Sequence, residues 1–166
     1  MTVRAQGDRQ MLQRKRLIQT ATVLTIVSAA LVTAPAARAS TAEEAKAFAE
    51  QAAAHVKAVG EQQAFADFSR PDGGFVKGEL YVFCQAEDGT VVAHGGNPAI
   101  VGKNMLKVAD PDGKLPNAEM NRIGLTQGAG WYSFRWPNPA THKIQEKSAY
   151  VIRIDDHTIC GSGYYR

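Results

Sequence analysis

Residues Leu80 to His94 read LYVFCQAEDGTVVAH. The first seven, Leu80 to Ala86, are rich in the aromatic and β-branched side chains that suit a pleated strand. Asp88-Gly89 is a tight-turn signal, because glycine reaches positive φ without steric penalty. Thr90 to His94 returns as the second arm of a hairpin. Upstream the pattern is helical. Thr41-Ala42-Glu43-Glu44 has the spacing of a capping box, with Thr41 as N-cap and Glu44 reaching back. Ala45, Phe48, Ala52, Val56 and Val59 recur at helical spacing until Gly60, and a second short helix is predicted over Glu61 to Phe68. Ser69 to Gly78 carries Pro71, Gly73, Gly74 and Gly78 and reads as a loop.

Downstream of the hairpin, Gly95 to Lys114 is a long Gly/Pro/Asn/Asp-rich connection, and connections of that length in small domains are usually functional. Pro116 to Gln127 is predicted helical, and strands are predicted over Gly130–Trp136, Glu146–Ile154 and Thr158–Tyr165. The fold class is therefore α+β, with helices on a five-stranded antiparallel sheet.

The whole chain has 166 residues, is 45% hydrophobic and 21% charged, and carries a formal charge of +3. Those proportions exclude collagen-like, disordered and polytopic membrane classes. The basic excess is local. Of 19 basic and 16 acidic residues, six basic and one acidic precede Ser40, which leaves 13 basic and 15 acidic in 40–166, a net of −2. Net charge thus implies no nucleic-acid partner. Residues 1–39 have a secretory layout: Arg14-Lys15-Arg16, the 16-residue apolar run Leu17 to Val32, then Ala37-Arg38-Ala39 as an A-x-A cleavage site. The run is interrupted by Gln19, Thr20, Thr22, Thr25 and Ser28, and it is short of the ~20 apolar residues a spanning helix needs. The expectation is a signal peptide over 1–39 and one domain over 40–166, periplasmic or secreted, with no membrane span after cleavage. An oxidising compartment would permit a disulfide between Cys84 and Cys160.

The chain resembles the type 2 single Cache domains of bacterial extracytoplasmic sensors. The resemblance rests on Leu80-Tyr81-Val82-Phe83, Asp88 to His94, Asn97-Pro98, Val101-Gly102-Lys103-Asn104, Trp131, Arg135 to Pro139, Lys147 to Val151 and Gly161 to Tyr164, in that order. It implies a PAS-like or profilin-like fold, with a long N-terminal helix against a five-stranded sheet and a small-molecule pocket beside the sheet. It also implies recognition of a small organic acid, amino acid or amine, and a membrane sensor or receptor protein as a further partner. In a PAS-like strand order the first and last strands lie side by side, which brings Cys84 within reach of Cys160; two buried free thiols are the alternative.

No chemistry beyond binding is marked. The four histidines, His55, His94, His142 and His157, lack metal spacing among themselves or with cysteine, so no metal is expected. Asp110-Pro111-Asp112-Gly113 has the start of a calcium loop, but its twelfth position is Asn121, so it reads as a turn. Ser133, Ser148 and Ser162 lack the elbow of a hydrolase nucleophile. No cofactor is implied. The expected function is binding of a small organic anion such as a short carboxylate; an enzyme without a recognisable motif, or a protein-interaction module, is the alternative.

Candidate ligand-binding residues are Arg135, Lys147, Trp131, Tyr150 and His94. Alternation along Gly130 to Trp136 puts Tyr132, Phe134 and Trp136 on one face and Trp131, Ser133 and Arg135 on the other. The first set suits a core and the second a polar pocket. A hairpin turning about Thr141 would set Arg135 opposite Lys147 and Tyr132 opposite Tyr150. Two cations in direct opposition repel, which points to an anion between them. Trp131 would wall the pocket, Tyr150 and His94 would contribute only where the loops or the strand twist bring them in, and Gly161 and Gly163 would leave room beside it. Intact mass of the protein from its native host should correspond to a chain beginning at Ser40; full-length protein retained in the inner membrane would contradict the cleavage.

Overall fold

The computed structural model describes residues 39–166. The expected signal peptide lies outside the described residues. Helix α1 (Ala42–Val59) starts as the capping box requires: Thr41 Oγ1 accepts from the Glu44 amide and Glu44 Oε2 from the Thr41 amide. Its buried stripe is Ala45, Ala49, Ala52, Ala53 and Val56, small residues that let the helix axis lie close to a sheet. Gly60, at φ 83°, ends it and begins α2 (Glu61–Phe68).

The strands are β1 (Val76–Lys77), β2 (Leu80–Ala86), β3 (Val91–His94), β4 (Ala129–Pro137), β5 (Ile144–Arg153) and β6 (Thr158–Tyr165). A third helix, α3 (Pro116–Gln127), precedes β4, and one 3-10 turn spans Pro98–Ile100. All pairings are antiparallel, in the order β1-β2-β6-β5-β4, with β3 also on β2. The sixth strand, β1, is two residues long and falls in the segment read as a loop. It shares an edge of β2 with β3, so the sheet is five strands wide.

Helices α1 and α2 cover one face, where Ala52, Val56, Ala64, Phe68, Val82, Cys84, Ala93 and Cys160 form a core. Helix α3 covers the other, packing Met120 and Ile123 against Tyr81, Phe83, Phe134, Val151 and Ile159. The helix can approach because Gly124 has no Cβ; one there would sit 2.5 Å from Ile159 Cγ2. The connection after β3 is tied down by backbone bonds and by Asp110. Asp110 Oδ1 accepts from the amides of Asp112 and Lys114, and Oδ2 accepts from the amide of Arg135 on β4. The acidic turn therefore caps its own loop and fastens it to the sheet.

The β4–β5 register differs by one residue from the expectation. Arg135 pairs with Glu146, Phe134 with Lys147, and Trp131 with Tyr150. The reason is the loop, which spans 138–143. Asn138 donates its amide to the Lys143 carbonyl, its carbonyl accepts from His142, and its Oδ1 accepts from Ala140. Pro137 then pairs with Ile144, so the hairpin is centred between Ala140 and Thr141, not on Thr141. A slip of one residue moves Lys147 to the face opposite Arg135.

Cys84 and Cys160 are direct partners in the β2–β6 pairing and form a disulfide. Both are fully buried on the α1 face. Their sequence separation of 76 makes the closed loop long. Replacing both by alanine should lower stability by up to about 4 kcal/mol, measured by urea unfolding. A loss under about 1 kcal/mol would show that the bond adds little to β2–β6 pairing.

Candidate functional site

The face of β2 that carries Tyr81, Phe83 and Gln85 borders a small cavity, about 20 Å³, roughly the space of one water. β3 contributes His94, β4 contributes Phe134 and Trp136, β5 contributes Lys147, and α3 contributes Asn117 and Met120. The crossover closes it with Ile100. Most of this lining is apolar, with few polar groups, as in small-molecule sites generally.

Lys147 is the unusual member. It is 1% exposed. Its Nζ stands 3.8 Å from the Tyr81 ring centroid, 5.0 Å from Tyr165 and 5.6 Å from Phe83. Among the described residues it has no hydrogen-bond partner and no carboxylate within salt-bridge distance. The aromatic faces attract an ammonium but do not replace its hydration. Burial accordingly lowers its pKa to about 7, opposed only by the charge of Glu79. The stem fits because β6 has glycine beneath it: a Cβ on Gly163 would lie 2.7 Å from Lys147 Cε.

The ring under the ammonium is held from below. Tyr165 donates its hydroxyl to the Pro137 carbonyl at 2.8 Å, so the Tyr81 hydroxyl donates to Tyr165, at 3.2 Å. Burial pushes Tyr81 up to about 12 and Tyr165 upward as well, so both remain neutral phenols. His94 is buried and lies against the Tyr81 ring at 4.8 Å. Burial first, then the charge of Lys147, lowers its pKa to about 3. Its Nδ1 accepts the Asn97 amide at 2.8 Å, so the neutral ring carries its proton on Nε2. Lys147 Nζ and His94 Nε2–H are thus both donors, with no acceptor facing them among the described residues. That combination is suited to an anion.

Of the sequence-predicted residues, Lys147 and His94 line this cavity and Arg135, Trp131 and Tyr150 do not. The face assigned to the pocket is the α1 side of the sheet, at its exposed β4 edge. Trp131 is 40% exposed and packs on Tyr150 and Tyr164, with Lys46 of α1 over Tyr150. Arg135 is exposed and 3.4 Å from Asp112. The aromatic face of Phe134 and Trp136, read as core, forms the wall instead. Sequence reading also missed Tyr81, Phe83, Gln85, Asn117 and Tyr165. One signal was present: Lys147 is in phase with Ala149 and Val151, so on an alternating strand it belongs to an apolar face.

A family model described as Single Cache domain 2 matches residues 10–165. The chain belongs to this family. Among solved structures, this Cache domain is similar to a methyl-accepting chemotaxis protein from Vibrio parahaemolyticus, with TM-score 0.65 and 20% identity over 74% of this chain and 86% of that one. It is also similar to a Cache chemosensory domain solved for carboxylic acid recognition, with TM-score 0.62 and 25% identity over 74% and 91%. Among curated proteins, the sensor histidine kinase MctS of Rhizobium johnstonii is 31% identical over 86 residues, 51% of this chain and 18% of that protein. The methyl-accepting chemotaxis protein McpP of Pseudomonas putida is 30% identical over 76 residues, 45% and 14%. The chain thus matches less than a fifth of the length of either. It is a sensor-type Cache domain similar to those of chemoreceptors and sensor kinases. Among the described residues no helix is long and apolar enough to cross a membrane.

An uncompensated buried ammonium destabilises the folded state. Lys147→Met should therefore raise stability at pH 7 by on the order of 2 kcal/mol. Between about pH 7 and 10.5 the unfolded chain binds a proton that folded Lys147 does not, so this group makes wild-type stability rise with pH. The advantage of the variant should be greatest at pH 7 and below, and vanish near pH 10.5. Urea unfolding at several pH values measures it; a variant less stable than wild type throughout would contradict the account.

Proposed function

We propose that this Cache domain binds a small organic anion, most simply a short carboxylate, between Lys147 and His94. The observation that carries the reading is the buried Lys147 ammonium, which lines the cavity with no carboxylate within salt-bridge distance among the described residues, Glu79 acting on it only from further away. The neighbour solved for carboxylic acid recognition supports it as a likeness. Lys147 supplies the charge and His94 Nε2–H a directed hydrogen bond. Phe134 and Trp136 exclude water, which strengthens both. The cavity as it stands has room for about one water, so entry of a short carboxylate requires the crossover or the lining side chains to yield. The domain would act outside the cytoplasm and pass its ligand state to a membrane sensor or receptor; the relation to a sensor kinase and a chemotaxis protein supports that role.

A bound carboxylate favours the charged form of Lys147 and raises its pKa. Affinity should be roughly constant below pH 7 and fall by up to about tenfold per pH unit above it. Near pH 8, binding should take up about one proton. Titration calorimetry with acetate, propionate, pyruvate and lactate, in buffers of different ionisation enthalpy, measures both. Lys147→Met should abolish the binding, whereas Arg135→Ala should leave it within about threefold. Tight binding in Lys147→Met, or binding without proton uptake, would refute the site.

A further inference from the structure

The cavity has a second polar end. Gln85 is 1% exposed and Asn117 8% exposed, and both border the cavity. Gln85 Oε1 and Asn117 Nδ2 are buried and have no hydrogen-bond partner among the described residues. A buried polar atom left unpaired costs about 1–3 kcal/mol, so two together in one cavity point to a group that pairs with them.

The orientation of Gln85 is set by a chain of amides. Asn121 Nδ2 donates to the carbonyls of Ala86 and Glu87, which fixes Asn121 Oδ1 as an acceptor. Gln85 Nε2 donates to that oxygen and to the Asn117 carbonyl at 2.7 Å. Turning the Gln85 amide over would set its oxygen against two acceptors. Oε1 is therefore held as an acceptor at the cavity, and what meets it must be a donor. A methyl group offers none, and a ketone oxygen can only accept. An ammonium donates, but it would share a closed cavity with Lys147 and would leave the Asn117 donor unmet. A hydroxyl does both, giving its proton to Gln85 Oε1 and accepting from Asn117 Nδ2.

The two polar ends sit apart on β2. Lys147 Nζ lies 3.8 Å from the Tyr81 ring and 5.6 Å from Phe83, and Gln85 is the same-face residue after Phe83, two such steps beyond Tyr81. Successive same-face residues on a strand are about 6.6 Å apart, so the two ends stand between one and two steps apart, which suits a ligand with one polar group at each end of a short carbon chain. Resting on the carboxylate reading above, we infer that the preferred ligand is a short hydroxy-carboxylate, its carboxylate at Lys147 and His94 and its hydroxyl between Gln85 and Asn117.

Calorimetry on the wild-type domain at pH 6.5 with three matched pairs tests this: glycolate and acetate, lactate and propionate, 3-hydroxybutyrate and butyrate. At least one hydroxy acid should bind about tenfold or more tightly than its deoxy partner, because a site built around a hydroxyl penalises its loss. The pair with the larger ratio reports whether the hydroxyl sits on the second or third carbon. Gln85→Met should erase the ratio. Because Gln85 also bonds α3, Asn117→Ala is a second variant that keeps the backbone carbonyl Gln85 uses; it should reduce the ratio, with folding of both variants checked by urea unfolding. Equal binding within every pair would overturn the hydroxyl inference and leave the carboxylate site standing. Failure of all six acids to bind, or binding that survives Lys147→Met, would overturn the carboxylate reading and this inference with it.

Discussion

The pairing of β2 with β6 is the constraint on which the rest of the structure depends. It joins the first long strand to the last, across more than seventy residues, and the Cys84–Cys160 bond locks it at the sheet centre. Everything at the cavity is referred to these two strands. β2 carries Tyr81, Phe83 and Gln85 on one face, and β6 carries Gly161 and Gly163 beside them. The alternate face, with Val82, Cys84 and Cys160, receives α1 and α2. A strand pair stapled on the helical side leaves the other face free to specialise. Glycine at 163 turns that freedom into space for the lysine stem.

Into that space the fold places a charge that it does not neutralise. Aromatic faces, an imidazole held neutral and two phenols surround Lys147, and among the described residues no carboxylate is near enough to pair with it. Such an arrangement opposes stability, since desolvating an ammonium is expensive and cation–π attraction recovers only part of it. Burial lowers the lysine pKa to about 7 and that of His94 to about 3. The histidine is consequently a neutral donor, not a second positive charge competing for space. The same low-dielectric surroundings that penalise the free lysine would strengthen its attraction to an anion. Binding and burial are therefore two sides of one electrostatic arrangement.

The crossover after β3 completes the enclosure. Its Asp-Pro-Asp-Gly turn is fastened to β4 through Asp110, whose oxygens accept three backbone amides. Desolvation opposes its charge, but these three bonds and the charge of Lys114 hold Asp110 below the ordinary carboxylate range. Nearer the cavity the same crossover is bonded to the β2–β3 hairpin, the Val91 amide donating to the Lys103 carbonyl and the Gly102 amide to the Val91 carbonyl, so it is held to the sheet at both ends.

Local patterns determined most of the architecture by themselves. The capping box at Thr41, the Asp88-Gly89 turn, the start of α3 at Pro116 and the alternation in β4 are decided by residues within a few positions of one another, so they are legible in the chain. The family resemblance added the strand order, and with it the cysteine pair. The site was less legible, because it depends on which faces meet. A six-residue loop in place of one centred on Thr141 shifted the β4–β5 register by one, and period-two strands convert that shift into a change of face. Lys147 thereby left Arg135 and joined Phe134. Gln85 and Asn117 are unremarkable in sequence, being an amide in a strand and an amide in a helix 32 residues on. Only their burial at one cavity, with the Asn121 amide fixing which atom is left unpaired, gives them a meaning. The sequence determined the elements and the residues capable of binding chemistry; the tertiary structure decided which of them share a wall, because facing and desolvation are properties of packed surfaces and not of neighbours along the chain.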